Sequence, residues 1–138
     1  MEPIYTAVVT AKGGRDGHIK SSDGVLDLDL KKPKEMGGEG GAYTNPEQLF
    51  AGAYGACYLG ALGSIAKKHE IDVSEATVDV HVIFNKDDNA YALSAELHVK
   101  IPGISIEEAQ KLANKAHIVC PYSKATRGNM DVKVIAEE

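Results

Sequence analysis

The sequence predicts an α+β protein with elements in the order β-β-β-α-β-β-α-β, and three observations carry that expectation. Polar and apolar residues alternate over 25–30, 74–84 and 91–101, the period of half-buried strands. A charge-free apolar run, Leu49–Ala66, follows Asn45-Pro46-Glu47 and reads as a long buried helix. Ser105-Ile106-Glu107-Glu108 is a capping box that opens a second, amphipathic helix.

The first strand is expected over Ile4–Thr10, before a loop forced by Gly13-Gly14-Arg15-Asp16-Gly17. Segments 18–21 and 25–30 flank the hairpin signal Ser22-Asp23-Gly24. In the second of them Leu26, Leu28 and Leu30 share one face, and Asp27 and Asp29 the other. Segment 31–42 holds Pro33 and four glycines and reads as a surface loop. Asn45 is a natural cap, Pro46 suits the first helical position, and Glu47 complements the positive helix end. That helix should run to about Lys68. In the next strands Val78, Val80, Val82 and Phe84 share a face, as do Tyr91, Leu93, Ala95, Leu97, Val99 and Ile101. The second helix places Ile106, Ala109, Leu112, Ala113 and Ala116 together, and Cys120-Pro121 should end the helical region. A last strand is expected over 132–136.

The chain has 138 residues, so one domain over 1–138 is expected. A net charge of −5, with only two arginines, excludes a nucleic-acid binder. No charged segment leading into an apolar run opens the chain, so a cytoplasmic, reducing location is expected. Two cysteines there read as free thiols or a working redox pair rather than a permanent staple. Leu49–Ala66 is just long enough for a membrane span. Gly52, Gly55, Gly60 and Gly63 make it only mildly apolar, and its flanking strands are amphipathic, so no membrane is expected. A helix apolar all round must be buried all round, and one six-stranded sheet would cover only one side. The expectation is an obligate homodimer with this helix near the interface; a monomer whose glycine-rich loop closes over the helix is the alternative.

Cys57 lies mid-helix, with Phe50, Ala53, Tyr54, Ala61 and Ser64 near its face. A cysteine in such a place is ordinarily inert packing. Cys120 lies in an irregular, accessible-looking turn. There is no Cys-x-x-Cys motif, and His117 with Cys120 is too few ligands for zinc, so no metal is expected. A thiol of ordinary pKa is only about 3% ionised at pH 7, so a reactive Cys57 needs a fixed cation. Arg15 is the first candidate, with Glu47 as a carboxylate for its fork; Arg127 is the second. Glu47 lies nearly three turns from Cys57, so Arg15 would have to reach in from its loop.

Several motifs now stand in order: residues 13–17, Ser22-Asp23-Gly24, residues 44–50, Ala56-Cys57, residues 119–123, and residues 125–129. Together they resemble the organic hydroperoxide resistance branch of the OsmC-like superfamily, over essentially the whole chain. The resemblance implies an OsmC-like fold in an intertwined homodimer with long central helices packed between sheets. It implies Cys57 as peroxidatic and Cys120 as resolving cysteine, with Arg15 and Glu47 beside the thiol. It also implies alkyl or fatty-acid hydroperoxides as substrates, no bound cofactor, and an external lipoyl-type dithiol or lipoylated protein as reductant. Tyr58 and Lys124 depart from the family's usual phenylalanine and asparagine, which bears on pocket width and not on the thiols. Phe50 and Tyr54 are the candidate walls of an alkyl pocket. The competing readings are a non-catalytic thiol redox sensor, a carrier of a small apolar ligand, and a thioester hydrolase, which would want a histidine base for Cys57.

Overall fold

Strand pairing begins later than the sequence suggests. The first strand, β1, is Val9–Lys12, and it pairs antiparallel with β2, His18–Ser21, from Val9 opposite Ser21 to Lys12 opposite His18. Because β2 ends at the turn, residues before Val9 have almost no ladder to join; only the Val8 carbonyl accepts a bond, from Ser22 N–H. Ile4 and Tyr5 are consequently exposed. The computed structural model describes all residues, Met1–Glu138.

Between β1 and β2, a 3-10 turn at Gly14–Asp16 carries Arg15. Gly13 adopts φ 83°, and a Cβ on Gly17 would stand 2.0 Å from the Lys12 carbonyl oxygen, so both ends of this turn require glycine. The 22–24 turn forms as expected: Asp23 accepts hydrogen bonds from the Ser21 hydroxyl and the Val25 N–H. The strand after it, β3, is shorter than the alternation implied, Asp27–Asp29, because Leu30 leaves the ladder to bridge Thr44. The glycine-rich loop that follows contains a 3-10 turn, Lys34–Met36.

Helix α1, Pro46–Lys68, starts where expected, with Asn45 Oδ1 accepting from the Gln48 N–H at 2.9 Å. Strands β4, Thr77–Lys86, and β5, Tyr91–Lys100, pair antiparallel, and β6, Val132–Glu137, lies parallel to β5. Helix α2, Ile106–Val119, opens on the capping box of Ser105 and Glu108. Its inner face is Ala109, Leu112, Ala113 and Ala116; Ile106, in the first turn, is exposed instead. The core joins these residues to Tyr54, Tyr58, Leu62 and Ala66 of α1 and to Leu97 and Val99 of β5. A Cβ on Gly55 would meet Val80 Cγ2 at 3.2 Å, so glycine lets α1 lie close against β4.

Two sequence expectations are corrected. The strands form two three-stranded sheets, ordered β1-β2-β3 and β4-β5-β6, not one six-stranded sheet. They fall in two compact units, Met1–Leu49 and Phe50–Glu138, with α1 beginning in the first and continuing through the second. Second, Cys120-Pro121 does not end the helical region. Cys120 is extended (φ −60°, ψ 124°), as a residue before proline prefers, but Pro121 then occupies the first position of a further helix, α3, Pro121–Thr126.

Helix α1 buries Tyr54, Gly55, Tyr58, Leu62 and Ala66 and leaves Gly52, Ala53, Ala56, Gly60 and Ser64 exposed. By length and composition it is also apolar enough to cross a membrane.

Candidate active site

The two thiols meet where three helices converge. Cys57 is carried by α1, and Cys120 sits at the junction of α2 and α3. Both cysteines are free, and Cys120 is close enough to Cys57 to perturb its thiol. Cys57 is half-buried, while Cys120 is fully buried, contrary to the accessible turn expected. The reason is packing: Cys120 belongs to the same core cluster as Tyr54 and Tyr58 of α1 and Ala113 and Ala116 of α2.

Burial pushes the Cys57 thiol up, and the neighbouring Cys120 sulfur pushes it further the same way. One group opposes them, the backbone N–H of Tyr122 in the first turn of α3, which donates to Cys57. This donor is invisible to a search for side-chain chemistry; proline directly after Cys120 was its only sequence signal.

Arg15 and Glu47 are brought together in the first unit. Arg15 Nη1 and Nη2 donate to Glu47 Oε2 and Oε1 at 2.9 and 2.8 Å, a two-pronged pair between part-buried side chains. The hydrogen bond from Arg15 holds the Glu47 carboxyl below its ordinary range despite partial burial, and the bond to Glu47 raises Arg15. Arg127, the second candidate cation, donates instead to the backbone carbonyl of His117 at 2.7 Å.

Phe50 lines an open, mainly apolar groove of about 670 Å³ with Leu93, Tyr122, Ala125 and Met130 among its other walls. Tyr54 stands behind that wall and not in it. Its ring contacts those of Phe50 and Tyr122, with centroids 6.2 and 5.8 Å away. Its hydroxyl is buried and needs a partner, which it finds in Ser123 Oγ at 2.8 Å. Ser123 Oγ in turn lies 2.7 Å from His117 Nδ1. Burial and the Arg127 guanidinium push the His117 ring below the ordinary imidazole range. Tyr58, one residue past Cys57, donates its hydroxyl to the Ala113 carbonyl at 2.7 Å, and burial drives its pKa far up. The His117–Ser123–Tyr54 chain was not legible from sequence, because its members are separated by up to 69 residues.

A mixed α+β chain with paired thiols set against a long central helix defines an OsmC-like protein, and residues 38–135 match the family model described as OsmC-like protein. The chain is 48% identical over 132 residues to the organic hydroperoxide resistance protein OhrB of Bacillus subtilis, covering 95% of this chain and 96% of that one. It is 46% identical over 130 residues to the organic hydroperoxide resistance protein of Xanthomonas axonopodis pv. citri, covering 94% and 92%. Among solved structures, that of an organic hydroperoxide resistance protein from Elizabethkingia anophelis superposes with a TM-score of 0.91 at 47% identity, covering 100% of this chain and 99% of that one. The chain belongs to the OsmC-like family, in its organic hydroperoxide resistance branch.

Proposed function

We propose that the protein is a cytoplasmic two-cysteine peroxidase that reduces organic hydroperoxides to alcohols. The nearness of Cys120 to Cys57 carries this reading, because a sulfenic acid formed on Cys57 has the second thiol at hand. The Cys57 thiolate attacks the outer peroxide oxygen; the O–O bond breaks, the alcohol leaves with a proton, and Cys57 becomes a sulfenic acid. Cys120 then displaces the hydroxyl as water and forms the Cys57–Cys120 disulfide. An external dithiol, of lipoyl type, reduces it by exchange. No bound cofactor or metal takes part.

Within its own unit Cys57 is pushed up by burial, so the scheme needs a cation beyond the Tyr122 N–H. We assign that role to Arg15, aimed by Glu47, as stabiliser of the thiolate and of charge developing on the peroxide oxygens. The groove walled by Phe50 and Tyr122 suits an alkyl tail, each buried methylene adding about 0.8 kcal/mol, and hydrogen peroxide has none. The protein works as a homodimer. Helix α1 carries no charge from Leu49 to Ala66, and its glycine and alanine face is exposed in the single chain, which supports this.

The test is a steady-state assay with cumene hydroperoxide and a dithiol donor. Wild type should turn over, Cys57→Ser should be inactive, and Cys120→Ser should form one sulfenic acid per chain and then overoxidise. Consumption of a single equivalent by wild type would make the protein a sensor or carrier instead.

A further inference from the structure

Disulfide formation makes a demand that peroxide reduction does not. The Cys120 sulfur must come to about 2.05 Å from the Cys57 sulfur, with the Cβ–S–S–Cβ dihedral near 90°. Cys120 is the cap of α3, a helix of six residues, too short to hold its place by its own hydrogen bonds. Something outside α3 must fix it.

His117 meets that need from two directions. Its backbone carbonyl accepts from Arg127 Nη2 at the far end of α3. Its ring Nδ1 meets Ser123 Oγ at 2.7 Å in the first turn of α3, next to the residue whose N–H donates to Cys57. Ser123 is fully buried, and its hydroxyl continues to Tyr54 of α1. The chain of contacts therefore ties together α1, which carries Cys57, α2, which leads into Cys120, and α3, which Cys120 caps. The peroxide-reducing step meets this chain only through α3, at Tyr122, whose N–H favours the Cys57 thiolate.

We propose that His117 is a positioning residue for the resolving step, acting through Ser123 to hold Cys120 against Cys57. With the ring neutral, Tyr54 O–H donates to Ser123 and Ser123 O–H donates to His117 Nδ1, so each hydroxyl proton is used once. This latch keeps α3 closed while the Cys57 S–O bond breaks, the S–S bond forms, and the Cys120 proton leaves with the hydroxyl as water. The inference rests on the peroxidase reading above.

The experiment separates the two. Reduced protein is mixed with cumene hydroperoxide and quenched at intervals with a thiol-alkylating reagent, and sulfenic acid and disulfide are counted by intact mass. His117→Ala removes the acceptor and leaves the Ser123 hydroxyl short of a partner. The disulfide should then form about tenfold more slowly, while Cys57 oxidation slows by no more than about twofold. The sulfenic acid should last longer, so overoxidation at excess hydroperoxide should rise. His117→Asn, which keeps an oxygen acceptor near the Nδ1 position, should restore disulfide formation to within about twofold. An alanine variant that closes the disulfide at the wild-type rate, or one that slows both steps equally, overturns the proposal. So does an asparagine variant as slow as alanine. If wild type consumes no hydroperoxide, it is the peroxidase reading that fails.

Discussion

Arg15 grips Glu47 with both prongs of its guanidinium, at 2.9 and 2.8 Å, across 32 residues of sequence. The pair is built by local rules at both ends: glycines bracket the turn that presents Arg15, and Asn45 and Pro46 start the helix that presents Glu47. Two parallel bonds specify orientation, which a single ammonium cannot. Arg15→Lys should therefore lower kcat/KM for cumene hydroperoxide about 100-fold, and Glu47→Gln about tenfold. An Arg15→Lys enzyme with wild-type kcat/KM would remove Arg15 from the scheme.

Gly60 faces open space, with no atom within 4 Å of where its Cβ would stand. The single chain has room for a side chain there, so only a second copy would object. Wild type should run as a dimer in light scattering at micromolar concentration, and Gly60→Glu should run as a folded monomer. A variant that stays dimeric, or a wild type that is monomeric, would remove α1 from the interface.

His98 is held between Glu137 and Glu96, the latter at 2.9 Å, on the face of β5 opposite the core. Glu137 first and Glu96 second raise its pKa above 6.5, and both carboxyls are lowered in return. The His81 ring lies tilted beside it, centroids 4.4 Å apart, and Lys100 and Lys133 stand near the carboxylates. Because the folded value is raised, the stabilisation is fully present below about pH 6.5 and is lost as pH rises through the folded pKa. The urea midpoint of wild type should fall across that window more than the midpoint of His98→Gln. His18, raised by Asp29, titrates alike in both and cancels. Parallel curves for the two proteins would mean the cluster contributes nothing.

Tyr58 donates to the Ala113 carbonyl across the packed faces of α1 and α2. Tyr58→Phe should cost about 1 kcal/mol in urea unfolding, the ordinary worth of one such bond, and leave peroxidase kcat within twofold. A larger loss of activity than of stability would place the hydroxyl in the chemistry.

Much of the fold was legible because it rests on short-range physics. The Asn45 cap, the Ser105–Glu108 box and the period-2 alternation of β4 and β5 each concern residues a few positions apart, and all three formed. The two cysteines, Arg15 and Glu47 stood out because few residue types can do thiol chemistry or answer a charge. What failed did so for reasons of context. The strand expected from Ile4 begins only at Val9 because a ladder extends only as far as its partner. Cys120 looked accessible because proline usually stops a helix, whereas here it started one. The sequence by itself determined which elements form and which side chains are chemically able. Only the tertiary structure decided that Cys120 is sealed in, that Tyr122 offers its N–H to Cys57, and that His117, Ser123 and Tyr54 join in one chain, because partners so far apart in sequence are chosen by packing and not by pattern.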